Sequence, residues 1–418
     1  MPVKYSIITF GCRVNQADSM GIERELRTAG GVESMSAAAD LVIVNSCSVT
    51  ATADQGTRQA VRRVARENPL ARIVVTGCYA TRCAGEVAAL PNVVSVVPNA
   101  RKDGLVRDIL TTAERFGGGD GACGAPSDFL LDRTALTVRV QTGCNEHCSY
   151  CIIPATRGAA TSKTPAAVID ELRTAEACGF LEITLTGVHL GSYGRDLRPA
   201  SSLTELLDAV TGGTCEVLLR LGSLEPMDVP PTLTSLCASS RLAPAFHLPL
   251  QHASDAVLAR MRRPYSLDDY RRTVDPLKSA MPDAALGSDI IVGFPGETSG
   301  DFDRLCSYLE SSPLTSLHVF PYSDRPGTDA SRMTEKIAPH VIRERGRVVR
   351  DIGRQLADRF RASQVGAVRP ALTIGDGSTV VTDNGIKLRL PGPRRRNQRL
   401  RVRVGDGIAE PVERETPT

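Results

Sequence analysis

The chain has no tryptophan, and only 4% of its 418 residues are aromatic. From Ser363 to the C-terminus there is no Phe, Tyr or Trp, which excludes base stacking by that segment. No apolar run approaches the ~20 residues a bilayer-spanning helix needs. The opening MPVKYSIITFGC carries neither a long apolar core nor a small-residue cleavage site, so no secretory signal is expected. The chain is therefore expected in the cytoplasm, without membrane partners. No Ser/His/Asp constellation or paired-carboxylate site stands out, so no catalytic residue is expected beyond metal ligands. Excess charge is also lacking: 50 basic against 47 acidic residues give a net +3, which excludes a general polycation. With 42% hydrophobic and 23% charged residues, disordered and collagen-like classes are excluded too.

What the chain does have is cysteine, twelve in all. Disulfides are rare in the cytoplasm, so metal binding or catalysis is the economical explanation. The length predicts two to four domains at roughly 100–200 residues each.

The first third alternates strands and helices. YSIITF, LVIVNS and RIVVTG are apolar runs of strand length, each ending just before a cysteine. Helices are expected at about 15–28, 54–67 and 83–90. Continuous apolar strands separated by helices indicate a parallel sheet covered on both faces. FGGGDGACGAPS (116–127) reads as a linker.

A second series follows, with strands expected at 137–141, 182–187, 216–222, 245–251, 285–294 and 317–322. Helices are expected from near Pro165, Ser202, Pro230, Ser254, Leu267 and Ser299, and a long Arg-studded one at 339–361. Six strand–helix units fit a (β/α)6 partial barrel with its chemistry on the loops after the strands. The tail, PALTIG, TVVTD, IKLRL and RLRVRVG, reads as a small all-β module. The predicted fold class is thus α/β. Its parts are an N-terminal domain at 1–115, the linker, a barrel at 128–362 and the β module at 363–418. Asn384–Gly405 holds eight basic residues and no acid: Lys387, Arg389, Arg394, Arg395, Arg396, Arg399, Arg401 and Arg403. Removing those eight from the net +3 leaves −5 elsewhere, so positive charge concentrates at one end, as phosphate contact would need.

Cys144, Cys148 and Cys151 lie within eight residues, directly after an expected strand. A cubane [4Fe–4S] cluster is normally held by thiolates at all four irons. Three local thiols leave one iron open, and C-x3-C-x2-C is the spacing of radical S-adenosylmethionine enzymes. Zinc completed by His147 is the competing reading, disfavoured because no paired C-x-x-C follows. Otherwise His147 is a surface loop residue.

Cys12, Cys47 and Cys78 each follow a strand, at the carboxyl edge of the expected sheet. Neighbouring strands lie about 4.8 Å apart, so three strand ends can gather three thiols. That edge is where open α/β sheets bind ligands. The plain alternative is three buried cysteines. Cys83, Cys123, Cys178, Cys215, Cys237 and Cys306 lack this pattern, and Cys83 is the substitute should Cys78 prove inert. His189, His247, His252, His318 and His340 have no ligand spacing and read as structural.

The chain resembles the radical S-adenosylmethionine methylthiotransferases along nearly its whole length. The resemblance rests on TFGCRVNQADS, VIVNSCSVTATAD, VVTGCYA, QTGCNEHCSYCIIPATRG, LTGVHLGSYG, LGSLEP, HLPLQ, DIIVGFPGET and HVFPYSDRPGTDA. GCRVNQ, VTGCYA and HVFPYS look most like the bacterial branch acting on N6-threonylcarbamoyladenosine in tRNA. The resemblance implies two [4Fe–4S] clusters and S-adenosylmethionine. Cys144, Cys148 and Cys151 would hold the radical cluster, which cleaves S-adenosylmethionine to a 5′-deoxyadenosyl radical that takes hydrogen from adenine C2. Cys12, Cys47 and Cys78 would hold the auxiliary cluster that carries the inserted sulfur. A second S-adenosylmethionine would supply the methyl group.

Tyr150, Gly187, Ser223, Glu225, Gln251, Asp289 and Gly293, most of them at strand ends, are the candidate S-adenosylmethionine contacts. Lys387, Arg389, Arg394, Arg395, Arg396 and Arg399 are the candidate RNA contacts, in a module resembling the TRAM domain. The implied partners are the tRNA anticodon stem-loop and a reducing donor such as a flavodoxin or ferredoxin. Where family members often have Ser-Gly, this chain has His252-Ala253, and a left-handed φ there would strain Ala253. The rival readings are isopentenyladenosine in tRNA, an aspartate of a ribosomal protein, and a non-catalytic iron–sulfur electron carrier.

Overall fold

The computed structural model describes residues 2–110, 134–213 and 216–412. The expected linker, Cys123 and Cys215 lie outside the described residues. The chain forms two compact units. One comprises Met1–Ala125, Gln141–Thr161 and Ser323–Arg332, and the other Pro126–Val140, Ser162–Tyr322 and Met333–Thr418. Among the described residues, no helix is long and apolar enough to cross a membrane.

The first unit is built on a parallel sheet of β1 (Lys4–Thr9), β2 (Val32–Glu33), β3 (Leu41–Ser46), β4 (Arg72–Gly77) and β5 (Val93–Val97), in spatial order β2-β1-β3-β4-β5. All six residues of β3 are buried, as a run apolar on both faces requires. Val42 and Val44 pack with Val61 and Val64 of the helix Ala51–Glu67. Leu41 and Ile43 pack with Ile22 and Leu26 of the helix Arg13–Thr28. Period-2 alternation thus places one helix on each face. β2 and β5 lie beyond the expected strands. The helix expected at 83–90 starts instead at Cys78 (Cys78–Arg82) and resumes at Ala84–Ala88.

After β6 (Ala135–Arg139) come the two-residue strands β7 (Gln141–Thr142) and β8 (Thr161–Ser162). The second unit sets β6 beside β9 (Glu182–Thr186), β10 (Leu218–Leu221), β11 (Ala245–His247), β12 (Ala285–Val292) and β13 (Ser316–Pro321), all parallel and in that spatial order. Bridges Leu219↔Leu242 and Ser223↔His247 join β10 to β11. This is the expected partial barrel. β11 is shorter than 245–251 because Pro249 has no N–H to donate and Gln251 turns to φ +68. Reciprocal capping boxes start three of the helices: Ser202 with Glu205, Ser266 with Asp269, and Thr298 with Asp301.

The same unit ends in an antiparallel sheet of β14 (Val368–Ile374), β15 (Thr379–Thr382), β16 (Lys387–Arg389), β17 (Arg399–Val404) and β18 (Ala409–Pro411), ordered β16-β15-β14-β17-β18. A bridge between Arg389 and Ile408 ties its two edges, which closes the small barrel and removes open edges.

Candidate functional site

Register alone gathers the first thiol set. Thr9 pairs with Asn45, and Asn45 with Thr76, so Cys12, Cys47 and Cys78 follow three adjacent strand ends at one edge of the sheet. Gly11 and Gly77 make the turns into their cysteines with φ +96 and +99. A Cβ on Gly11 would sit 2.6 Å from both Cβ and Sγ of Cys47, so that backbone approach demands glycine. Cys47 and Cys78 are buried and Cys12 is exposed. The Val49 N–H points at Cys47 Sγ (3.5 Å), and Asn99 Nδ2 at Cys78 Sγ (3.6 Å). Burial pushes the Cys47 thiol up to about 11, and the neighbouring Cys12 and Cys78 add to the rise. Such a thiol stays neutral until a metal displaces its proton.

Buried charge lies beneath this edge. The Asp18 side chain is fully buried, and its Oδ2 accepts from Lys102 Nζ and Arg157 Nη2, both at 2.9 Å. Arg157 also donates to Asn15 Oδ1 (2.5 Å) and Thr142 Oγ1 (3.0 Å), and Lys102 to Asn45 Oδ1 (3.1 Å). Burial works against the charge on Arg157, but Asp18 and then the thiols of Cys78 and Cys12 hold its pKa above the usual arginine value. Burial lowers that of Lys102, with Asp18 opposing. Two cations to one carboxylate leave positive charge where thiolates would sit. A second buried carboxylate, Asp54, takes Arg82 (2.6 Å) and Arg325 (2.7 Å).

The second thiol set lies in the same unit. Cys151 N donates to Cys148 O and Cys144 N to Gly158 O, both at 3.1 Å, so the loop closes on itself. Glu146 N points at Cys144 Sγ (3.4 Å). The helix Ile153–Arg157 packs on Cys78–Arg82, and Asn99 Nδ2, beside Cys78, also donates to Thr156 O (2.9 Å). Ala330 N holds Ser149 O at 2.8 Å. Tyr150, between two of the thiols, is half-buried, and His147 is exposed. All ten described cysteines are free thiols. Two sets of three thiols, the first backed by buried cations, suit cubanes each held through three thiolates. Cys83 packs instead against the apolar cluster around Val75 and Val87.

The other candidate residues belong to the second unit. Gly187 is buried just after β9. Glu225 is ion-paired with Arg263. Gln251, not Ala253, takes the left-handed φ, so the expected strain at Ala253 is absent and falls two residues earlier. Gly293 N donates to Glu297 Oε2 (2.5 Å), and a Cβ added at Gly293 would fall 2.4 Å from Ile342 Cγ1. Ser223 and Asp289 meet through a residue read as structural: His247 Nδ1 lies 2.9 Å from Ser223 Oγ and its Nε2 3.1 Å from Asp289 Oδ1. His318 joins the same carboxylate at 3.2 Å. Sequence spacing hid both histidines, because three different strands bring them together. Lys102, Asp18 and Arg157 were missed as well. The one local signal was Asn15 and Asp18, three apart and so on one face of their helix.

His252 is fully buried, accepts the Ser254 N–H at Nδ1 (3.0 Å), and is driven down to about 3 by burial. It stays neutral in the folded chain, whereas the unfolded chain takes up a proton below about pH 6.5. Stability contributed here is full above that pH and falls as pH drops. His252 should therefore cost about 2 kcal/mol between pH 7 and 5. His252→Asn is expected to flatten that part of the urea-midpoint profile, and an unchanged acid slope would refute the assignment.

On the small barrel, Lys387 and Arg389 alternate outward along β16, and Arg394 and Arg395 are exposed in the loop that follows. Arg396 is half-buried. Arg399 donates to Leu181 O (3.2 Å) and Glu216 O (2.6 Å), which ties the small barrel to its neighbour in the unit.

Residues 4–98 match the Uncharacterized protein family UPF0004, and residues 138–309 the Radical SAM superfamily. The chain is 35% identical to the threonylcarbamoyladenosine tRNA methylthiotransferase MtaB of Bacillus subtilis (strain 168), over 85% of this chain and 81% of that one. It is 32% identical to the tRNA-2-methylthio-N(6)-dimethylallyladenosine synthase of Acidothermus cellulolyticus, over 100% and 87%. It is 33% identical to the ribosomal protein uS12 methylthiotransferase RimO of Roseiflexus castenholzii, over 90% and 86%. Among solved structures, the radical S-adenosylmethionine methyltransferase TsrM from Kitasatospora setae shares the fold with a TM-score of 0.54 at 14% identity, over 79% of this chain and 77% of that one.

Proposed function

Because this chain belongs to the radical S-adenosylmethionine methylthiotransferases, we propose that it converts N6-threonylcarbamoyladenosine, next to the anticodon at position 37 of tRNA, to its 2-methylthio derivative. It is an enzyme that takes two [4Fe–4S] clusters and S-adenosylmethionine. The observation that carries the substrate is the 35% identity to a threonylcarbamoyladenosine tRNA enzyme, beside the motifs GCRVNQ, VTGCYA and HVFPYS. The isopentenyladenosine reading is the second, favoured by the relative that matches the chain from end to end. The ribosomal-protein reading stands third.

Cys144, Cys148 and Cys151 hold the radical cluster in this reading, and Cys12, Cys47 and Cys78 the auxiliary one. When bound, the two clusters and S-adenosylmethionine supply the radical, the sulfur and the methyl group. The protein's share is positioning and exclusion of water. Asn99, set between Cys78 and the helix after Cys151, fixes one thiol against the other set's loop. Arg157 and Lys102 offset the charge that three thiolates bring. The S-adenosylmethionine contacts in this reading are Tyr150, Gly187, Ser223, Glu225, Gln251, Asp289 and Gly293, of which Ser223, Glu225, Asp289 and Gly293 would exchange their present partners.

The division into 1–115, 116–127, 128–362 and 363–418 follows the same reading, with the last segment the RNA-binding module. Lys387, Arg389, Arg394, Arg395 and Arg396 meet phosphates, which predicts salt-sensitive affinity. Arg399 is better read as structural. The electron donor is a flavodoxin- or ferredoxin-like protein, and the setting the cytoplasm.

The test is nucleoside mass spectrometry of tRNA from cells with and without the gene. Only 2-methylthio-threonylcarbamoyladenosine should vanish, and it should return with the gene but not with Cys148→Ala. Loss of the isopentenyl analogue instead would move the enzyme to that substrate. No tRNA change at all would remove both tRNA readings.

A further inference from the structure

We propose that His247, Asp289 and His318 form a binding site for one divalent first-row transition-metal ion, beyond the two cluster sites and the reaction assigned above. The donors come from three neighbouring parallel strands. Asp289 pairs with His318 across β12 and β13, and His247 pairs with Gly287 across β11 and β12. Leu286, Ile290 and Val292 face the helix-packed core, so alternation turns Asp289 to the opposite face. On β13, Leu317 and Val319 pack against the same core, which puts His318 on that face too. Strand backbones thus fix the three side chains without any loop.

Both imidazole-to-carboxylate distances fit a common ion. His247 Nε2 and His318 Nδ1 lie 3.1 and 3.2 Å from the same oxygen, Asp289 Oδ1, and one ligand atom from each residue lies within 4.8 Å of the others. Metal–nitrogen and metal–oxygen bonds of about 2.0–2.2 Å give ligand-to-ligand edges of roughly 3.3 Å in a tetrahedral shell. The two rings are stacked, with centroids 5.1 Å apart and planes at 29°, so both nitrogens sit at the one carboxylate.

Two further observations point to a cation rather than to hydrogen bonds alone. His247 Nε2 is buried and makes no well-directed hydrogen bond, despite its 3.1 Å approach to the carboxylate. Its other nitrogen, Nδ1, is held by Ser223 Oγ at 2.9 Å. A hydrogen bond on the far ring nitrogen is the usual means of orienting a ligating imidazole. Two imidazoles and one carboxylate on one side of an ion also leave coordination positions open for water or a substrate oxygen.

Mn2+ is the probe, because soft thiolates compete for it poorly. The anaerobically cluster-loaded full chain would be titrated while the electron paramagnetic resonance signal of free Mn2+ is followed. One Mn2+ per chain is expected, displaced by Zn2+. Asp289→Asn and His318→Ala should each weaken binding at least tenfold, and Ser223→Ala a few-fold, with His340→Ala unchanged. Iron and sulfide content must stay at the wild-type level in each variant, which separates loss of this site from misfolding. Undiminished binding in Asp289→Asn, or no binding up to millimolar Mn2+, would overturn the site and leave the three side chains a hydrogen-bonded array. Neither result bears on the tRNA substrate, which the nucleoside assay decides.

Discussion

Replacing Cys47 with alanine is expected to stop sulfur insertion while 5′-deoxyadenosine release from S-adenosylmethionine continues. The two thiol sets occupy one unit but arise differently. Cys144, Cys148 and Cys151 come from a single closed loop, whereas Cys12, Cys47 and Cys78 come from three strands. Loss of Cys47 removes the middle donor of the strand-end set and leaves the loop unchanged. The loss should exceed 100-fold, since even residues that merely support metal ligands are worth about 10–100-fold. Cys148→Ala should abolish both readouts. Gly11→Ala should reproduce the Cys47 phenotype with every thiol kept, because its Cβ would overlap Cys47 Sγ at a φ of +96. Cys83→Ala should leave both readouts intact. Full sulfur insertion by Cys47→Ala would dismiss the strand-end set. Insertion lost in Cys83→Ala but kept in Cys78→Ala would put Cys83 in its place.

Much of this arrangement was legible in the chain. LVIVNS and RIVVTG become β3 and β4 with the expected limits, because a Val/Ile-rich run that stops at Ser-Cys or Gly-Cys suits a buried strand of an α/β sheet. Helices announced by a Ser or Thr cap with an acid three residues on were equally plain. What the sequence concealed depends on contacts between distant segments. Lys102 and Arg157 are 55 positions apart and look like surface charges, yet both reach Asp18. His247 and His318 lack ligand spacing because strand register, not sequence interval, sets their separation. The His252-Ala253 departure from the family pattern suggested strain, but the left-handed turn falls on Gln251.

The buried cations supply the second large expectation. Asp18→Asn should destabilise the cluster-free protein more than Arg157→Met does. The asparagine keeps the shape of Asp18 but leaves Lys102 and Arg157 facing each other without the carboxylate they share. Breaking a buried charge pair by removing one partner costs about 3–5 kcal/mol. Arg157→Met, by contrast, leaves Asp18 with Lys102 at 2.9 Å, a complete pair, so its cost should fall toward the lower end. Cys78 and Cys12 lie within electrostatic reach of Arg157. Holding a metal would make them thiolates, and that negative charge would give both cations a second partner. The penalty of Asp18→Asn, read as the shift in urea midpoint, should therefore shrink once iron and sulfide are loaded. An equal penalty with and without iron would mean that Lys102 and Arg157 do not sense the strand-end thiols. They would then only join the helix Arg13–Thr28 to Asn99–Gly104 and to the segment following Cys151.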